Sequence, residues 1–181
     1  MKKLFIGVIA LCASIACTHV AAEDEVVYDI TKITTRSDMV SYLTRKVSDH
    51  NVASRYISYT CTTTGDQDVF AQAKKYTYLV ASEAITTGEQ PKNLYKDFLQ
   101  ALTTYNNQVD LFNSKVTEFR KVLNALTSGK ISDDELSDAR EFIQAIEQDY
   151  NEARYALIGC ELYEKALDKA EIVNTAARFG S

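Results

Sequence analysis

Tryptophan is absent from the chain, and proline occurs once, at Pro91. Glycine occurs six times and histidine twice in 181 residues. So little glycine and proline, with 46% hydrophobic residues, is the composition of a folded domain and not of a disordered or low-complexity chain. It leaves no glycine-rich loop to cradle a phosphate, no G-x-S-x-G elbow and no redox C-x-x-C pair. Histidine is too scarce for a zinc or di-iron bundle, which draws on several His and carboxylate ligands at helical spacing. His19 falls in the leader, so His50 stands alone in the mature chain. It sits where the helical pattern weakens, and it reads as a surface residue. No metal and no cofactor are expected.

Basic charge is also short. Twenty Lys and Arg face 25 Asp and Glu, a net charge of −5. Such a chain has little to offer nucleic acid or an anionic membrane surface, where phosphates must be neutralised. Long apolar runs are missing beyond the first 22 residues. No later stretch approaches the ~18 consecutive apolar residues of a membrane helix.

Those first residues, MKKLFIGVIALCASIACTHVAA, have the form of a bacterial secretory signal: two lysines, an apolar run from Leu4 to Ala16, and a short polar region. Val20-Ala21-Ala22 fits the small-x-small rule for cleavage before Glu23. The alternative is lipidation at Cys17, where Ser14-Ile15-Ala16-Cys17 carries Ser14 in the place usually held by Leu. Cleavage after Ala22 removes Lys2, Lys3 and no acid, which moves the side-chain charge from −5 to −7. It also removes Cys12 and Cys17. Cys61 and Cys160 remain, and in an oxidising compartment two cysteines imply one disulfide.

The mature chain divides into an extended or mobile arm over 23–36 and one helical domain over 37–181. The arm, EDEVVYDITKITTR, is rich in β-branched residues and finds no second strand-like segment. It reads as mobile, as a strand offered to a partner's sheet edge, or as packed locally on the bundle. A first helix is expected from an N-cap at Ser37 to Cys61, with a break near Asn51 and with Val52, Tyr56 and Ile57 on the resumed apolar stripe. Thr64 and Gln67 fit a capping box for a second helix, which Gly88 ends. A third runs from Pro91 to about Leu126 on a stripe of alternating four and three steps. Ser132 and Glu135 open a fourth, read as one helix to about Arg178. Its stripe changes phase beside Gly159-Cys160, which marks a level where a different element packs.

These elements predict an all-α fold: an elongated antiparallel bundle with a long C-terminal helical hairpin and one disulfide. A Cys61–Cys160 bond within one chain is the leading pairing. A bond between two chains and free thiols are the alternatives. Simple up-down packing opposes the leading one. It puts Cys160 beside Phe98 and Leu99, and it sets Cys61 about 20 Å beyond the ~7 Å that a disulfide allows.

Side chains that carry chemistry are few. GDQDVF and DDELSD lack the length and the glycine placement of a calcium loop. Glu141, Glu147, Asp149, Glu152, Glu161 and Glu164 lie off or at the edge of the helix-four seam and read as a solvated face. Tyr42, Tyr56, Tyr76, Tyr105 and Tyr150 fall on or near apolar stripes. Tyr59, Tyr78, Tyr95 and Tyr155 look peripheral and are the candidate partner-binding residues.

The stretch ASRYISYTC (53–61) resembles the type II secretion pilotins. Those are small α-helical envelope lipoproteins with a disulfide between early and late helices, and they bind a helical tail of the secretin. The resemblance covers nine residues and the Cys–Cys topology, and it implies that Cys61 and Cys160 form the disulfide. The expectation is therefore a periplasmic or secreted protein that binds another envelope or secreted protein without catalysis, as an adaptor, assembly factor or pilotin-like chaperone. A homodimer is compatible with it. A periplasmic immunity protein and a secreted helical toxin or effector are the alternative functions.

Overall fold

A computed structural model describes residues 29–82 and 89–179. The expected signal peptide, Cys17 and the first part of the arm (23–28) lie outside these residues. Five helices follow one another: α1 (Arg36–Cys61), α2 (Asp66–Ala81), α3 (Glu89–Thr127), α4 (Leu136–Ile158) and α5 (Glu161–Phe179). The described chain is all-α and contains no strand.

From Asp29 onward the arm packs on the bundle. Ile30–Lys32 form a 3-10 turn, and Ile30 and Ile33 are buried in the main core against α4. Their β-branched side chains are core residues, not an edge strand. Thr35, not Ser37, caps α1 by accepting from the Asp38 N–H at 3.2 Å. Arg36 then fixes the helix start to the far end of the bundle. Its guanidinium donates to the carbonyls of Leu126 (2.9 Å) and Ile131 (2.6 Å) and to Asp133 (2.8 Å).

α1 has no break at Asn51. Its buried residues are Met39, Tyr42, Leu43, His50, Ala53, Ile57 and Cys61. His50 is therefore a member of the stripe. Once it is counted, the series 39, 43, 50, 57 holds heptad spacing, and Val52 and Tyr56 fall on the outer face.

α3 is the spine. Its 39 residues span about 58 Å. Gly129, at φ 71°, ends the α3 region in the left-handed conformation that glycine adopts without penalty. The Lys130 N–H returns to the Ala125 carbonyl and closes the turn. Ser132 donates from its N–H and its hydroxyl to Glu135, the expected capping interaction, here in a 3-10 turn before α4.

The expected single fourth helix is two helices. α4 buries Ala139, Ile143, Ile146, Tyr150, Ala153 and Leu157. α5 buries Tyr163, Ala166, Ala170 and Val173. Continued three-four alternation from Leu157 would require residue 164, not 163. The stripes are one residue out of step, about 100° around a helix. A straight helix would turn one of them to water. The chain instead kinks at Cys160, the one described non-glycine residue with positive φ, at 59°.

α4 packs on the C-terminal part of α3, and α5 packs on its N-terminal part. α1 covers α3 and α4, and α2 covers α5. The main core runs through α1, α3 and α4; a smaller one gathers Ala73, Phe98, Ala170 and Val173. Phe70 touches both. Each half is a three-helix unit, and α3 is common to both.

Candidate functional site

The two halves meet at a pair of joints, the α1–α2 turn (62–65) and the α4–α5 kink (159–160). Cys61 and Cys160 join them directly, with Cα atoms 5.2 Å apart. Tyr150 stacks on Phe112 and Tyr163 meets Tyr105 edge-on, so Cys160 lies near residues 105–108 of α3, not beside Phe98. The 3-10 turn over 133–135 shifts the hairpin register. α2 is 16 residues long and starts at this level. Together these remove the distance that opposed the bond.

A carboxylate pins the same joint. Buried Asp66 accepts from the Thr63 N–H (2.8 Å), the Thr63 hydroxyl (2.6 Å) and the Tyr163 hydroxyl (3.0 Å). The Thr63 hydrogen bonds hold its pKa below the usual carboxylate range. Burial, then the Asp66 carboxylate, raises that of Tyr163, so the phenol stays protonated and donates. The expected Thr64–Gln67 capping box is not what starts α2. Gly65, at φ 110°, precedes the helix with no side-chain cap, and Asp66 ties the turn from inside. Tyr163 is 97 residues away, and no local pattern announces it.

Exposed side chains stand around the joint on the outer faces of α1 and α4. Val52, Tyr56 and Tyr59 follow one outer stripe of α1 and are 67%, 55% and 88% exposed. Tyr155 on α4 is 75% exposed. Tyr59 precedes Cys61 by two residues and Tyr155 precedes Cys160 by five. Helix geometry and the disulfide therefore place the Cα atoms of these tyrosines within roughly 20 Å of each other. Tyr78 is exposed near the end of α2, away from the joint. Tyr95 is half-buried early in α3. Of the four candidate tyrosines, Tyr59 and Tyr155 lie near the joint, each on the face of its helix opposite the core, and the other two do not. Val52 and Tyr56 join them, although their sequence pattern suggested core.

His50 overturns its surface assignment. It is buried with its ring 4.4 Å from that of Phe112 and 5.9 Å from that of Tyr150. Its Nδ1 has no hydrogen-bond partner. Burial, then the Arg120 charge, lowers its pKa, against a smaller opposing effect of Asn113. The sign follows from linkage. The unfolded chain, with a His pKa near ~6.5, binds a proton more readily than the folded one. Folding stability is full above that pH and falls as pH drops from it toward the folded-state pKa. Among residues 23–181 His50 is the only histidine. Urea unfolding midpoints at pH 7.5, 6.5 and 5.5 should therefore fall for the native protein and stay more nearly level for His50→Phe. Parallel midpoints in the two proteins would refute the assignment.

Beside His50, Lys46 and Glu147 form an ion pair that is largely screened from water, and Lys46 lies 5.2 Å above the Tyr42 ring. Asp149 pairs with Lys115 on α3 at 2.8 Å. These two carboxylates are interhelical ties, whereas Glu141, Glu152, Glu161 and Glu164 are exposed. Burial pushes Tyr150 up to about 12. Among the described residues, no three His, Cys, Asp or Glu side chains form a metal-ligand group. No described helix is long and apolar enough to cross a membrane. No protein-family model, curated protein or solved structure matches the chain.

Proposed function

We propose that the chain is an exported envelope protein that acts by binding another protein and carries out no reaction of its own. The observation behind this reading is a set of exposed residues, Val52, Tyr56 and Tyr59 on α1 and Tyr155 on α4, around a doubly pinned joint. Tyrosine supplies large amphipathic contact area with few rotatable bonds, which suits interface anchors. Anchors work best on a rigid base, and the disulfide and Asp66 supply one. A disulfide between the two mature cysteines fits an oxidising compartment, in keeping with the leader-like first 22 residues. The adaptor or pilotin-like role belongs to this reading, with the secretin-tail type of partner suggested only by the ASRYISYTC resemblance.

A photo-crosslinking amino acid placed at residue 59 or 155, in cells exporting the full chain, tests it. Both positions should yield an adduct of the same discrete mass, and exposed position 121 on α3 should yield none. Equal labelling at all three positions, or no adduct at 59 and 155, would remove these residues as a binding site.

A further inference from the structure

α5 has a second face. Its inner stripe, Tyr163, Ala166, Ala170 and Val173, is buried. On the opposite side Asp168, Ile172, Thr175 and Phe179 repeat at four, three and four residues. Ile172 and Phe179 are large apolar side chains left in solvent. Beside this stripe a groove of about 600 Å³ opens between α5 and the start of α3. Leu94, Ile172 and Ala176 supply its apolar lining, Thr175 lies beside them, and Asp168 and Glu171 supply its charge. Both carboxylates are exposed and have no ion-pair partner among the described residues. Of the basic residues of α5, Arg178 lies in the last turn and does not line this groove. Lys165 and Lys169 line a different cavity, with Asp97 of α3.

We propose that this groove docks a basic amphipathic helix of a partner protein. A stripe of three-four periodicity offers the ridge on which another helix packs at a shallow angle. The apolar lining accepts side chains repeated every three or four residues, and Asp168 and Glu171 select Lys or Arg beside them. A two-fold contact with a second copy would bring the same carboxylates onto a shared interface, like charge against like. An anionic lipid surface meets the same repulsion. The proposal rests on the reading of the chain as a protein-binding module but not on the exposed tyrosines at the joint, since Ile172 lies about 18 Å along the helix from Cys160.

The probe is a fluorescein-labelled 14-residue Leu/Lys peptide of helical periodicity, with a Leu/Glu peptide of the same pattern as control. Anisotropy titrations use the leader-cleaved, disulfide-bonded protein. The Leu/Lys peptide should bind saturably at about 10–100 µM and the Leu/Glu peptide should not. Asp168→Lys with Glu171→Lys, and separately Ile172→Ser, should each weaken binding by about tenfold or more. Asp134→Lys with Glu141→Lys makes the same change in net charge far from the groove and should leave binding within about twofold. If that remote pair weakens binding as much as the groove pair, the attraction is non-specific and the proposal fails. It also fails if Ile172→Ser has no effect. A concentration-dependent dimer in sedimentation, abolished by Ile172→Ser, would assign the groove to a second copy and overturn it. Peptide binding without crosslinks at 59 and 155 would remove the exposed tyrosines as a binding site and keep the groove; the reverse would remove the groove alone.

Discussion

Cys61→Ser with Cys160→Ser will lower the unfolding free energy by about 4–5 kcal/mol. The bond closes a loop across a sequence separation of 99, and in the chain-entropy model that much unfolded-state freedom returns when it is cut. Against a total near 5–15 kcal/mol for a domain, the variant will be marginal. With a urea m-value near ~2 kcal/mol/M, the midpoint should move down by about 2 M. A second variant isolates the native-state part of the argument. Cys160 occupies φ 59°, which costs an L side chain roughly 1–2 kcal/mol and costs glycine little. In the Cys61→Ser background, Cys160→Gly should therefore be about 1 kcal/mol more stable than Cys160→Ala. Equal stabilities would show that the kink relaxes once the bond is gone. Equal midpoints for the native protein and the double serine variant would show that the bond does not hold the joint.

Asp66→Ala should cost about 2–3 kcal/mol. It removes the acceptor of the buried Tyr163 hydroxyl and of the Thr63 N–H, and a buried donor left unsatisfied costs about 1–3 kcal/mol. The loss should be local in its first effect. Hydrogen exchange should speed up through α2, whose turn Asp66 holds, before it speeds up in α1 or α4. The pH dependence adds a separate test. The folded pKa of Asp66 is depressed, so its contribution is full above the unfolded value of ~3.9 and is lost as pH falls through the folded value. Asp66→Asn keeps the shape without the charge, and its stability should change less than that of the native protein between pH 5 and 2. Equal acid sensitivity in the two proteins, or exchange in α2 unaffected by Asp66→Ala, would contradict the role assigned to this carboxylate.

His50 shows how one residue's chemistry can mislead a count. Taken as polar, it ended the stripe, and the count restarted at Val52 and moved Tyr56 into the core. Taken as a half-apolar ring, it keeps α1 continuous and turns Val52, Tyr56 and Tyr59 outward together. The spacing was legible throughout. What was missing was Phe112 and Tyr150, the rings that make the slot where an uncharged imidazole packs. Tyr59 and Tyr155 were legible as exposed because each lies opposite a strong stripe. That they flank one joint was not, since they sit on different helices almost a hundred residues apart.

The alternation of apolar residues, the capping pattern at Ser132 and Glu135, and the glycine at 129 act within a few residues of themselves. They determine that the chain is helical, where α3 ends, and that a phase slip falls at residue 160. The sequence by itself therefore determined the helices and the place of the discontinuity. Whether the slip becomes a kink depends on what packs on each side. α4 must face α1 and α3, while α5 must face α2 and α3, and no straight helix serves both faces. Tertiary structure alone decided that kink, the hairpin register that brings Cys160 to Cys61, and the meeting of Asp66 with Tyr163. Each depends on distances between segments far apart in the chain, which periodicity along one helix does not encode.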